Sequence, residues 1–432
     1  MSEKIYTVAI LGVGSRGGNA YGRIINKMKD KFRIVALCDP RAERLEVFGE
    51  EFGVSGDMLF TDEEIFLRRR RADALLITTY DCDHVRECKR AFELGYKVLL
   101  EKSIATSREE CLKLMEAASA LSGEATVCHV LRYSPIYLKA EELINEGRIG
   151  RLVAIEATEP VGYWHQSHSF VRGNARNTRD ASPMILSKCC HDLDLIAHFA
   201  KGECLSVTSV GGLSFFTEEN APDNTSARCT ECRLVDECPY SAKRLYIEKW
   251  KTDGAPADEW PTNVVAPAPV TEEKLMKAIK EGQYGRCVFR CDNDAVDHQL
   301  VQIEFKNGVK ATLSMIAFTT ERGRCYKFHG TYGQLTVTDR EIRLTEYGRE
   351  CEVIGIDTLI DRGLAHGGGD RGLILSLYGM LSGAGSPTAL ESSVEGYLIG
   401  FAAEESRLSG GKRVYVHGDS DAAGNIQKMI LI

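Results

Sequence analysis

The run Gly12-Val13-Gly14-Ser15-Arg16-Gly17, placed directly after the aliphatic block Tyr6 to Leu11, constrains this chain more than any other feature. Glycines at that spacing, between a strand and a helix, form a turn whose backbone N–H groups approach a pyrophosphate at the positive end of the helix. On its own the pattern is only a tight turn. Here Asp39 closes the next aliphatic block, 22 residues past Gly17, where a carboxylate can meet the hydroxyls of a ribose. Together they predict a dinucleotide site made by Gly12, Val13, Gly14, Ser15, Arg16, Gly17 and Asp39. The acid would repel a 2′-phosphate and so favours NAD over NADP, with Arg41 and Arg44 working against that preference.

The rest of the first 130 residues agrees with this start. Phe32 to Cys38, Ala74 to Thr78, Tyr96 to Leu100 and Ala125 to Cys128 are continuous apolar blocks of the kind buried on both faces of a sheet. Segments with helical spacing separate them: Arg41 to Phe52, His84 to Leu94 and Arg108 to Leu121. Strand and helix in alternation predict an α/β fold, a Rossmann-type, doubly wound parallel sheet over residues 1–130. Beyond Arg132 the texture changes. Val153 to Ala157, Cys204 to Val210, Leu300 to Phe305, Lys310 to Met315 and Gln334 to Val337 look like strands, the third and fourth joined by a hairpin at Asn307-Gly308. Helices are predicted over Leu373 to Leu381 and Glu391 to Leu408, the second ended by Gly410-Gly411. Residues 131–432 therefore read as an α+β domain on a large, mainly antiparallel sheet, with a cysteine-rich insertion at about 216–290.

Composition narrows the function. A net charge of −8 gives no basic field for a nucleic acid backbone, and the run Arg68 to Arg71 is short and flanked by acids. No apolar stretch approaches the roughly 20 residues that cross a bilayer, and nothing resembles a signal peptide. Fifteen cysteines, an odd number lying mostly singly inside apolar runs, argue for reduced thiols and a cytoplasmic setting.

Several residues carry candidate chemistry. Glu101-Lys102-Ser103 falls at the carboxyl edge of the sheet, where a lysine can hydrogen-bond a substrate hydroxyl or simply cap a strand end. Cys189-Cys190-His191-Asp192-Leu193-Asp194 opens a helical run. His191 suits proton transfer at neutral pH, while Asp192 and Asp194 can orient it, contact substrate or cap the helix. The stretch from Gly162 to Asn174 crowds Trp164, His165, His168, Arg172 and Asn174 into a wall suited to a sugar face, or into an ordinary core. Arg132, Tyr133 and Lys188 join the candidate substrate contacts, as do His366 and Asp370, a turn and a helix start. Cys229, Cys232 and Cys238, at C-x₂-C-x₅-C spacing, with Cys287 or Cys291 as a fourth ligand, predict a structural zinc site, with an iron–sulfur cluster or free thiols as alternatives.

These motifs resemble the glucose-fructose oxidoreductase, inositol dehydrogenase and MocA family over nearly the whole chain. The signatures are the glycine turn, Thr79-Tyr80-Asp81-Cys82-Asp83-His84 for the family's Thr-(Pro)-x-x-x-His, Glu101-Lys102-Ser103 for Glu-Lys-Pro, and Cys189 to Asp194 for G-x-H-x-x-D. Three departures stand out: Ser103 for proline, Cys189 for glycine, and Ser187 where inositol dehydrogenases carry a catalytic aspartate. The resemblance implies that Lys102 and His191 flank the reacting carbon, His191 as acid/base. It adds Thr78, Thr79, Tyr80, Asp83, His84, Glu101 and Lys102 to the cofactor contacts, and brings the His366–Asp370 segment toward the active site. It implies hydride transfer between NAD and a ring hydroxyl of a sugar, cyclitol or glycoside, in a homodimer or homotetramer. The alternatives are redox-assisted glycoside cleavage with tightly held NAD, or a non-catalytic sugar sensor; retained Lys102 and His191 weigh against the second.

Overall fold

A computed structural model describes residues 4–179, 181–320, 323–359 and 368–418. The first sheet is parallel and six-stranded, built from β1 (Tyr6–Leu11), β2 (Phe32–Cys38), β3 (Leu59–Phe60), β4 (Ala74–Ile77), β5 (Lys97–Leu100) and β6 (Glu124–Val127) in the order β3-β2-β1-β4-β5-β6. Val8, Ala9 and Ile10 of β1, and all of β4 from Ala74 to Ile77, are inaccessible to solvent, as continuous apolar strands covered on both faces must be. The helices Ala42–Phe52, His84–Glu93 and Arg108–Leu121 fall where their spacing predicts. Ser107 caps the last of these, its hydroxyl accepting the Glu110 N–H at 3.2 Å.

The second sheet has nine strands: β7 (Leu152–Pro160), β8 (Cys204–Gly212), β9 (His298–Phe305), β10 (Lys310–Ile316), β11 (Cys325–Gly330), β12 (Gly333–Thr338), β13 (Glu341–Glu346), β14 (Glu352–Gly355) and β15 (Val414–Tyr415). Their order is β14-β13-β12-β11-β7-β10-β9-β8-β15, antiparallel except for β7 against β10. In β9 the residues Gln299, Val301, Ile303 and Phe305 are buried while Leu300 and Gln302 face out, the alternation of a sheet covered on one side. The β9–β10 hairpin turns at Asn307-Gly308, with Gly308 at φ +93. The helices Cys190–Ala200 and Leu390–Leu408 pack on each other, the first also against β7 and the second against β8.

Five strands escape the periodicity reading: β3, β11, β13, β14 and β15. Each is short or alternates apolar with charged residues, and is held by its neighbours rather than by its own pattern. The insertion lies between β8 and β9 and has its own core of Leu245, Tyr246, Trp250, Leu275, Ile279 and Tyr284. No helix among the described residues is long and apolar enough to cross a membrane.

Candidate active site

The carboxyl ends of β1, β4 and β5 gather the nucleotide-facing loops. Gly12 has φ +89, and a Cβ there would stand 2.6 Å from the Thr78 carbonyl oxygen. A Cβ on Gly17 would fall 2.1 Å from the Gly12 carbonyl oxygen, whereas Gly14 has only the Arg44 guanidinium nearby, at 3.4 Å. Gly12 thus makes the turn, Gly17 lets helix and strand pack closely, and Gly14 leaves backbone open to a ligand. This cradle fits a dinucleotide pyrophosphate, with Gly12, Val13, Gly14 and Ser15 supplying the backbone. Asp39 is buried at the end of β2; the N–H groups of Val13 and Arg41 donate to its oxygens at 2.9 and 3.0 Å, and Arg44 Nη1 stands 3.3 Å away. The carboxylate assigned to the ribose therefore also ties the glycine turn to β2, with Arg44 offsetting its charge.

Arg16 is taken up by the fold. Its guanidinium donates to Glu101 at 2.9 Å, to the Tyr21 hydroxyl at 2.6 Å and to Asp370 at 2.7 Å. Arg16 and Asp370 thereby form an ion pair that pins the helix Gly369–Leu381 to the glycine turn. His366 lies outside the described residues.

After β4, Thr78 Oγ1 donates to the Gly12 carbonyl at 2.6 Å and Thr79 Oγ1 to Glu87, whose burial pushes its carboxyl up to about 8. Tyr80 is exposed, and Asp83 pairs with Arg86 at 3.0 Å. Buried His84 donates from Nδ1 to the Ser103 carbonyl at 2.7 Å and so steadies the segment that carries Lys102. The Lys102–Ser103 peptide is cis. Lys102 Nζ donates to the Ser187 carbonyl at 2.9 Å, and Ser103 Oγ to the Leu186 carbonyl at 3.2 Å. Burial works to lower the Lys102 pKa, yet the neighbouring Cys190, Glu101 and Asp81 hold it above the ordinary lysine value. It is an ammonium at neutral pH.

His191 stands in the first turn of Cys190–Ala200, with the His129 ring edge-on to it at 5.8 Å between centroids. His129 is only 1% exposed, and burial drives its pKa down to about 4 against the pull of Asp194, 3.6 Å away. A neutral imidazole therefore backs His191. Sequence reasoning missed His129, although its place just past β6, at the carboxyl edge of the sheet, was a usable signal. Next to His191, buried Asp192 accepts from Arg324 at 2.8 Å and from the Tyr326 hydroxyl at 2.6 Å; burial raises its pKa and Arg324 opposes the rise. Arg324 also pairs with Glu159 at 2.7 Å, and Glu159 with Lys188 at 3.1 Å. Folding thus assembles the chain Lys188, Glu159, Arg324, Asp192, of which only the ends were legible in sequence.

Other expected substrate contacts are hydrogen-bonded within the fold. Arg132 grips Asp194 with two bonds of 2.7 and 2.6 Å and also donates to the Pro387 and Ser392 carbonyls, so this buried pair joins elements of the fold. The Tyr133 hydroxyl bonds Ser376 and Thr388 at 2.9 and 2.8 Å. His168 stacks on Tyr284, bonds the Tyr246 hydroxyl at 2.9 Å, and is driven by burial down to about 3, so it belongs to the insertion core. Arg172, fully buried, donates to the Arg286 and Tyr240 carbonyls, both at 2.7 Å, and to Cys229 Sγ at 3.5 Å. Exposed Asn174 accepts from Gln283 at 3.0 Å. Trp164 and His165 keep a partly open position, and Trp260 of the insertion joins them.

The zinc expectation is not supported. Cys229, Cys232, Cys238 and Cys287 line one cavity of about 270 Å³, yet among the described residues no three His, Cys, Asp or Glu side chains group so as to hold a metal ion. A tetrahedral site needs its sulfurs converging to about 2.3 Å from one point. Here the cation at Cys229 is the Arg172 guanidinium, 3.5 Å from its Sγ, and all fifteen cysteines are free of disulfides.

Residues 6–129 match the oxidoreductase family described as GFO/IDH/MocA, NAD-binding Rossmann fold, and residues 137–230 match the GFO/IDH/MocA C-terminal domain. YteT of Bacillus subtilis, an oxidoreductase by name, is 21% identical over 336 residues, 76% of each chain. Inositol 2-dehydrogenase of Streptomyces avermitilis is 27% identical over 207 residues, 48% of this chain and 56% of that one. The WlbA dehydrogenase of Chromobacterium violaceum, solved with NADH and UDP-GlcNAcA, superposes with a TM-score of 0.67 at 15% identity, over 96% of this chain and 97% of that one. That last likeness is one of fold.

Proposed function

The chain belongs to the GFO/IDH/MocA oxidoreductase family, and from that premise we propose that it transfers a hydride between NAD and a ring hydroxyl of a sugar, cyclitol or glycoside. The observation that carries the reading is the placement of Lys102, bonded at 2.9 Å to the Ser187 carbonyl three residues before Cys190–Ala200, the helix that carries His191. NAD, held at the Gly12–Ser15 turn and Asp39, would supply the hydride chemistry. Lys102, kept cationic, lowers the cost of negative charge on the reacting oxygen. His191 takes the hydroxyl proton as general base and returns it in the reverse direction. Ser187, whose hydroxyl donates to the Ser182 carbonyl at 2.5 Å, holds the segment rather than relaying a proton. The chain of Lys188, Glu159, Arg324 and Asp192 offers charged groups to the other ring hydroxyls.

NAD is the preferred cofactor on account of Asp39, and free thiols suit a cytoplasmic protein. Exposed Val210 and Leu300, paired across β8 and β9, support assembly of copies through the open face of the large sheet. The test incubates the purified protein with NAD⁺ and a panel of sugars, cyclitols and aryl glycosides, following NADH absorbance and aglycone release together. NADH production upholds the reading. Aglycone release without net NADH moves the protein to redox-assisted glycoside cleavage, and neither signal from any compound overturns both.

A further inference from the structure

The insertion does more than decorate the sheet domain. Its segment 256–270 is fixed at several points: the Pro256 carbonyl accepts from Trp250 Nε1 at 2.9 Å, Val270 N–H donates to the Ala257 carbonyl at 2.6 Å, and Asn263 donates to Asp258 at 3.1 Å. Asp258 reaches the nucleotide domain and pairs with Arg23 at 3.0 Å. Two residues on, Trp260 lies 5.3 Å from the Trp164 ring and 5.1 Å from His165, the latter edge-on at 78°. An indole held so firmly still leaves 39% of its surface in solvent.

This aromatic group is linked to the candidate site through β7. Trp164 and His165 come directly after β7, whose Glu159 holds Lys188 and Arg324 beside Asp192. His168 of the same wall stacks on Tyr284 in the insertion core. Trp164 and Trp260 thus form an apolar shelf a few residues past the end of β7, the strand whose Glu159 joins the Asp192 network. A single sugar ring needs the polar network for its hydroxyls. A second ring needs a flat apolar face.

We propose that Trp260, contributed by the insertion, is a substrate-contacting residue that stacks on a second ring, so that the preferred substrate is a glycoside or oligosaccharide rather than a free monosaccharide. This rests on the sugar-directed reading above and deepens it. The Arg23–Asp258 pair keeps the shelf in place across the two domains.

The test compares methyl β-glucoside with cellobiose and p-nitrophenyl β-glucoside, and repeats the set with the galactosides. Calorimetric binding to the NAD-loaded protein is measured beside turnover, so the result does not depend on hydride transfer. Wild type should bind the two-ring ligands more tightly, and Trp260→Ala should lose about tenfold for them while changing one-ring binding less than about twofold. Trp260→Phe, which keeps a ring, should recover most of the loss. Equal weakening of both ligand classes, or no two-ring preference in wild type, overturns the proposal. Preserved discrimination without any turnover upholds it and instead defeats the proposed reaction.

Discussion

The Lys102 ammonium donates to the carbonyl oxygen of Ser187 at 2.9 Å, across 85 residues of sequence and from one sheet domain to the other. The motif resemblance puts Ser187 at the position of a catalytic aspartate in inositol dehydrogenases. The contact makes the relative placement of the two domains part of the candidate active site.

Removing either reacting group should then be costly in a particular way. Lys102→Ala and His191→Ala should each lower turnover by about 10²-fold or more, with NAD affinity, read by fluorescence titration, nearly unchanged. Lys102→Ala should also raise KM, since its charge serves the ground state too. If both act on one proton, the double variant loses less than the product of the singles. Near-normal turnover in His191→Ala would move the chemistry elsewhere.

Asp39 is expected to set cofactor choice against Arg44, 3.3 Å away. Wild type should bind NAD more tightly than NADP, and Asp39→Ala should narrow or reverse the difference by leaving Arg44 to meet a 2′-phosphate. Parallel titrations with both dinucleotides measure this. The loss of the Val13 and Arg41 bonds should weaken NAD binding in the same variant. Equal wild-type affinities would refute the assignment.

Arg132 should behave as a structural residue. Its truncation to alanine strands the buried Asp194 carboxylate, a change worth about 3–5 kcal/mol in buried pairs. Thermal unfolding should show a marked fall in Tm. A variant of unchanged stability with a raised KM would instead return Arg132 to the substrate site.

Two buried histidines make stability depend on pH. His129 and His168 are held near about 4 and about 3, against about 6.5 in an unfolded chain. Above that unfolded value both states are neutral and nothing is lost. As pH falls below it the unfolded chain takes up protons that the folded chain refuses, so stability declines until the folded values are reached. Denaturant unfolding between pH 7.5 and about 4.5 should show this decline, and His129→Gln should make it shallower. An unchanged slope in the variant would mean that His129 is protonated in the folded protein.

What the sequence determined by itself is the nucleotide domain, because its signals are local. A glycine's missing Cβ, an aliphatic block buried on both faces and a helix cap are each settled within a few residues, so β1, β2 and the Gly12–Gly17 turn lie where they were expected. Lys102 and His191 were nominated for the same reason, each inside a short motif. Tertiary structure decided the rest of the site. Whether Arg132, His168, Arg172 or Asp370 meets a substrate depends on which distant group claims its hydrogen bonds first, and Asp194, Tyr246, Cys229 and Arg16 were those groups. The cysteine spacing permitted a metal, but only the fold could decide whether the thiols converge. Glu159, Arg324 and Trp260 carry no local pattern at all; they became visible only when β7, β11 and the insertion were brought together, because burial and charge pairing are properties of the packed chain and not of any segment of it.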